Sequence, residues 1–217
     1  MISSCKRPVR FSGFTLIELL TVIAIIAVLA ALAVGMTVGA KNARVNSRAQ
    51  AELRQIQTAI EAYKADRSQY PPDHLIPGTR RVDPAINPLY YELQGMQVVN
   101  GVFKCKGDSD TIAPSDILQV FGRKGFLNAS ADASEPARTY LDPKASAVAR
   151  VTVGGVNVEL LVTPFQWPAN SADPAPVPGT RVNPWRYVST SPTNNVGHFD
   201  LWAEVYVGKE KRIFKNW

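Results

Sequence analysis

The chain has 217 residues, with 24 Lys and Arg against 18 Asp and Glu and a formal charge of +6. Beyond a long N-terminal helix that length suits one compact domain rather than several. Lys6, Arg7 and Arg10 stand in residues 1–13; the remainder carries 21 basic against 18 acidic residues, an excess too small to argue for nucleic-acid binding.

Residues 1–13 hold no acid and end in Ser12-Gly13, a short basic leader rather than a folded element. Then comes Gly13-Phe14-Thr15-Leu16-Ile17-Glu18, and from Leu19 to Ala40 no charge appears. As a helix this run would cover about 33 Å at roughly 1.5 Å per residue, enough for a bilayer core. Lys41, Arg44 and Arg48 close it, matching the three basic residues of the leader, so charge bias sets no orientation. A secretory signal would have a shorter apolar core, although Ala31-Leu32-Ala33 offers a cut site in principle. Neither a signal nor a plain anchor accounts for Glu18. A charge inside hydrocarbon costs roughly 2.5–3.5 kcal/mol on insertion scales, and such residues usually carry a function.

Gly13-Phe14-Thr15-Leu16-Ile17-Glu18-Leu19-Leu20 resembles the cleavage site of type IV prepilins and type II secretion pseudopilins. The resemblance implies cleavage after Gly13 by a prepilin peptidase on the cytoplasmic side and methylation of the new N-terminus at Phe14. Glu18 becomes the fifth residue of the mature chain. An ammonium on Phe14 and a carboxylate one turn further suggest a pairing between subunits: Glu18 of one chain neutralised by the Phe14 amine of the next, which sets axial register. The alternative is a Glu that caps its own helix, where the helix dipole favours a negative charge. Gly35 stands where many family members carry a helix-breaking proline, and Gly35-x-x-x-Gly39 also has the spacing of a close helix-packing motif.

Past the apolar run, Val45, Ala49, Leu53, Ile56, Ile60 and Tyr63 recur at helical spacing, with Arg48, Glu52, Arg54, Glu61 and Lys64 between them. One face of this stretch should bury against a head, and Tyr70-Pro71-Pro72 should end the helix. The organisation read from sequence is a leader over 1–13, an apolar transmembrane and assembly helix over 14–40, an amphipathic continuation over 41–70 and a head over 71–217. Within the head, turn signals such as Asn100-Gly101 punctuate residues 71–147, with short helical turns expected at Pro88–Gln94 and Ala113–Phe121. Gly154-Gly155 between two valine-rich arms, Ala147–Val153 and Val156–Thr163, predicts a hairpin. Residues 164–184, rich in proline, read as an irregular surface loop. Trp185–Thr190, Phe199–Val207 and Arg212–Asn216 read as strands. The expected fold class is α+β: a long N-terminal helix packed on a small antiparallel sheet, a pilin-like head.

The C-terminal half narrows the resemblance. Val182-Asn183-Pro184-Trp185 with Tyr187, Phe199-Asp200-Leu201-Trp202 and Asn216-Trp217 resemble segments of major pseudopilins of type II secretion. That family often binds calcium in an acidic loop before the final strand. Here Val205–Arg212 offers one acid among three cations, too few hard oxygens for calcium, with Asp200 and Glu204 the nearest further carboxylates. No cofactor is therefore expected.

An active site is equally absent from the pattern. His74 and His198 read as surface histidines, and no G-x-S-x-G, H-E-x-x-H or phosphate-binding glycine loop is present. Asp108, Asp110 and Asp116 read as solvated loop acids. Leader removal takes Cys5, so the mature chain can form no intrachain disulfide, and Cys105 is a passive thiol expected in a loop. Arg80-Arg81 and the basic, aromatic stretch Lys209–Lys215 read as a lysine-protected sheet edge rather than a grip on single-stranded nucleic acid. The sequence thus suggests a non-enzymatic filament subunit of the inner membrane with its head in the periplasm, later in a periplasmic or extracellular filament. Its partners would be identical or related pilin subunits, the prepilin peptidase and methylase, and an inner-membrane assembly platform. A type IV pilus subunit for adhesion, motility or DNA uptake is the alternative, and a membrane-anchored domain of other activity a further one.

Overall fold

The computed structural model describes residues 13–217 except 77, 80, 106–110, 133 and 209, and in residues 32–41 the backbone only. Helix α1 runs Leu16–Arg67. The chain divides within it into two compact units, Met1–Val45 and Asn46–Trp217. In the first unit the apolar side chains between Leu16 and Leu29 are exposed. Among the described residues no helix is long and apolar enough to cross a membrane. The expected span Leu19–Ala40 and the Gly35/Gly39 spacing fall partly or wholly on side chains outside the described residues.

In the second unit the predicted stripe is the core face of the stem. Ala49, Leu53, Ile56, Ile60 and Tyr63 are all buried, with Ala59 beside them. The stem ends at Arg67, followed by Ser68 at φ +60°, whose N–H donates to Lys64 O (2.8 Å). Pro71 disfavours helical geometry at Tyr70, which places the break upstream of the prolines themselves.

The two short helices form where expected, α2 at Leu89–Gln94 and α3 at Pro114–Phe121. Pro114 opens α3, where a missing N–H costs nothing. Gly122 closes it in the left-handed region at φ +67°, where a Cβ would also collide with the Leu75 carbonyl oxygen.

The strands are spread over three sheets rather than one. The first has the order β3-β2-β1-β4, with β1 at Met96–Val99, β2 at Val102–Cys105, β3 at Thr111–Ile112 and β4 at Ala129–Ser130. Asn100 and Gly101 both have positive φ and form the two-residue turn of the β1–β2 hairpin. β4 pairs with β1 in parallel, the one departure from an antiparallel arrangement among the named pairs. The second sheet is the predicted hairpin, β5 (Val148–Val153) on β6 (Val156–Leu161). The third has the order β7-β8-β9: Arg186–Val188, Asp200–Val207 and Glu210–Lys215. Its inner face buries Tyr187, Leu201, Ala203 and Val205. The Tyr187 hydroxyl donates to Pro71 O (2.8 Å) and so ties this sheet to the exit of the stem. The result is the α+β arrangement expected, with antiparallel-rich sheets.

Three expectations need correction. His74 is not a surface residue: it is buried, its Nδ1 lies 2.6 Å from Ile86 O, and Phe121 packs edge-on against its ring. Since a carbonyl oxygen only accepts, Nδ1 carries the proton, and burial holds the imidazole below the usual histidine range. Cys105 is not in a loop but at the end of β2, buried, with its thiol 3.3 Å from Met96 Sδ. Residues 164–184 lack helix and strand as expected, yet they bury Trp167 and Val177 and are not simply surface.

Candidate functional site

The start of α1 is built by Thr15 and Glu18. The Thr15 N–H donates to Glu18 Oε2 (2.8 Å), and the Glu18 N–H donates back to Thr15 Oγ1 (3.3 Å). The Thr15 hydroxyl donates a second bond to Oε2 (2.7 Å). This is a reciprocal capping box, and the sequence Thr15-Leu16-Ile17-Glu18 carries its T-x-x-E spacing. Within the single chain Glu18 therefore caps its own helix. Oε2 takes both donors, and among the described residues Oε1 takes none.

Just ahead of the box, a Cβ built on Gly13 meets nothing within 4 Å and Phe14 is 77 % exposed. The Gly13–Phe14 peptide bond is thus open among the described residues. Gly13, Phe14 and Glu18 lie together within one turn of the helix start, on a segment whose neighbouring side chains, Leu16, Ile17 and Leu19, are exposed and apolar.

In the head, carboxylates serve the fold. Glu92 is fully buried on α2. Its oxygens accept from Leu127 N (2.9 Å), Asn128 N (2.9 Å) and the Tyr63 hydroxyl of the stem (2.9 Å). Burial pushes its carboxyl above the usual range, against the lowering effect of those donors. Asp73, also buried, accepts from Ser189 N (3.0 Å), Thr190 N (2.8 Å) and the Thr190 hydroxyl (2.6 Å). Asp200 accepts from Thr193 N (2.9 Å), Asn194 N (3.0 Å), Asn195 N (2.8 Å) and Asn194 Nδ2 (3.0 Å). Burial pushes the Asp200 carboxyl up, and these donors outweigh it and leave it lowered.

The two acids weighed as calcium ligands are not brought together. Asp200 is occupied by N–H donors, while Glu204, four residues along β8, faces Lys211 (3.4 Å) and Arg186 (3.9 Å). At about 3.3 Å per strand residue they stand roughly 13 Å apart along the backbone. The basic tail is an edge strand whose charges are engaged: Lys211 pairs with Asp173 (2.7 Å), and Arg212 with Glu210 (3.3 Å) and Asn46 Oδ1 (3.0 Å). His198 is exposed and bonds Tyr70 (3.0 Å) through Nδ1. Asp116 lies in the first turn of α3; Asp108, Asp110, Arg80 and Lys209 lie outside the described residues. Sequence reasoning missed the Glu92 network and the Asp73 and Asp200 clamps, because their donors are mostly backbone groups that no side-chain pattern marks.

Residues 9–34 match the family described as the Prokaryotic N-terminal methylation motif. No curated protein and no solved structure matches the chain. The matched stretch contains the open Gly13–Phe14 bond and the Thr15–Glu18 box, and an α+β body follows the long helix. Residues 9–34 thus carry a prepilin-type methylation signal, which supports a type IV pilin-like protein.

Proposed function

We propose that this chain is a structural, non-enzymatic subunit of a type II secretion pseudopilus, closest to the major pseudopilin. A prepilin peptidase cuts between Gly13 and Phe14 and the new Phe14 amine is methylated. The apolar helix then holds the subunit in the inner membrane as a single pass, with its head in the periplasm. An assembly platform adds it to the filament through that helix. The observation that carries this reading is Gly13-Phe14-Thr15-Leu16-Ile17-Glu18 inside the matched motif, at the start of an exposed apolar helix. In assembly Glu18 answers the Phe14 ammonium of an adjacent subunit, a pair made strong by apolar surroundings. No cofactor is part of this function.

The pseudopilus assignment, over a type IV pilus, is favoured by the segment around Trp185. Its resemblance to pseudopilins lies in residues that brace the head: Asn183, Trp185 and Tyr187 are buried, and Asn183 Nδ2 donates to Glu204 O (2.7 Å).

Intact mass of the membrane-extracted protein tests the processing. A chain beginning at methyl-Phe14 supports it, and one beginning at Met1 or after Ala33 overturns it. Deleting the gene separates the two filaments: loss of protein export with surface motility and DNA uptake intact supports the pseudopilus, and the reverse pattern assigns the chain to a pilus.

A further inference from the structure

The outer face of the β7-β8-β9 sheet is covered at one end and open at the other. At the covered end, residues 164–184 lie across it. Trp167 packs edge-on against Tyr206 at 5.2 Å, and Asp173 takes bonds from the Tyr206 hydroxyl (2.8 Å) and Lys211 Nζ (2.7 Å). At the open end lies a groove of about 540 Å³, within the size range of small-ligand sites. The indoles of Trp202 and Trp217 cross there at 74° with centroids 5.8 Å apart. Ile213, 54 % exposed, and Trp217, 38 % exposed, leave apolar surface in the groove uncovered.

The opposite rim is polar and fixed in place. It is formed by Thr190, Ser191, Thr193 and Asn194. The backbone of this loop is held by two buried carboxylates, Asp73 through Ser189 and Thr190, and Asp200 through residues 193–195. Residues 190–196 contribute no buried side chain. Two buried acids therefore order a loop that adds nothing to the core, which is how a pre-organised rim is built.

The groove's electrostatics select among ligands. Among the described residues, Lys215 and Asp200 are the charged ones in its lining. Asp200 is buried and engaged by N–H donors, and the Lys215 ammonium lies 5.0 Å from the Trp217 ring centroid. One lysine against a ring does not anchor a polyanion. Asn194 spends its amide hydrogens on Asp200 Oδ2 (3.0 Å) and Thr193 Oγ1 (3.3 Å), so its Oδ1 is left as an acceptor at the rim. An acceptor needs a ligand that donates. The phosphodiesters of a nucleic-acid backbone offer no donor at neutral pH, and the imide nitrogens of proline-rich peptides offer none either. Sugar hydroxyls both donate and accept, and the C–H face of a pyranose ring carries the positive edge that an indole face attracts.

We propose that this groove is a binding site for a neutral saccharide, with sugar rings stacked on Trp202 and Trp217 and hydroxyls bonded to Asn194 Oδ1 and the Ser191 hydroxyl. The test uses the full chain in a detergent without a sugar headgroup, titrated with neutral β-1,4-linked glucose and N-acetylglucosamine hexamers and read by indole fluorescence and calorimetry. Saturable binding to either hexamer is expected. Trp217→Ala should weaken it at least tenfold, and so should Ser191→Trp, which fills the groove from the exposed rim; both should keep the thermal midpoint of the parent. The proposal is overturned by three results: no saturable binding to either hexamer, equal binding by both variants, or a single-stranded oligonucleotide or proline-rich peptide that binds the groove more tightly than the hexamers.

Discussion

One helix solves the same problem in two different ways. From Ala49 to Tyr63, α1 carries its apolar residues on one stripe and buries that stripe within its own head. From Leu16 to Leu29, the apolar residues occupy every side and remain exposed in the single chain. Burying an apolar side chain is worth about 1.5–3 kcal/mol, so the second stretch holds a large unused gain that lipid or neighbouring subunits can supply. Periodicity is therefore the physical distinction between a stem that completes a fold and a segment that seeks surroundings. The Thr15–Glu18 box and the Tyr63–Glu92 bond mark the same contrast in polar form: one carboxylate at an exposed helix start, the other fully buried.

The sharpest way to break this comparison is at Glu18. Glu18→Ala should leave membrane insertion and the fold of the head intact and abolish incorporation into filaments, scored by shearing and fractionation. Normal filament yield from the variant would show that the acid does no more than cap its helix.

A smaller effect separates the two stretches by stability. Ile60→Ala removes a fully buried side chain and should cost about 2–5 kcal/mol of head stability. Ile25→Ala, on an exposed site, should change it by less than about 0.5 kcal/mol. Equal shifts in denaturant midpoint for the two variants would erase the distinction.

The smallest effect is a pH slope. Burial raises the Glu92 carboxyl above the roughly 4.3 of an exposed glutamate. The folded state then holds this proton more tightly than the unfolded state. The stabilising contribution is complete below the unfolded value and is lost as pH rises through the folded one, with a slope of at most about 1.4 kcal/mol per pH unit. Asp200, lowered in the fold, acts in the opposite sense and loses its contribution as pH falls through its folded value, below about 3.9. Denaturation between pH 4 and 8 should show a downward component in the parent that is missing in Glu92→Gln. The same slope in both would assign it to another group.

What the sequence made legible follows from the range of the interactions. The stem stripe, the Gly154-Gly155 hairpin and the two short helices are specified by neighbours within a few residues, and each forms where its pattern lies. The hairpin at Asn100-Gly101 was marked by its turn but not by its arms, since four-residue strands carrying Gln97 and Lys104 show little alternation. The parallel β1–β4 pair and the burial of His74 against Ile86 O depend on contacts made by the finished fold. For the candidate site, the motif that holds Gly13, Phe14 and Glu18 is contiguous and stands in the sequence whole. The groove was not, since it exists only once the β8–β9 register sets Trp202 beside Lys215 and brings Trp217 near.

The reciprocal bonds between Thr15 and Glu18 bear on how a fibre would behave. A lone subunit is already content, because its acid has partners before any other chain arrives. Joining would then engage the second oxygen, which Thr15 leaves open, and the cap need not break. The acid would steer where a newcomer docks, while the greasy flanks of the same helix would supply most of the grip that makes the fibre last.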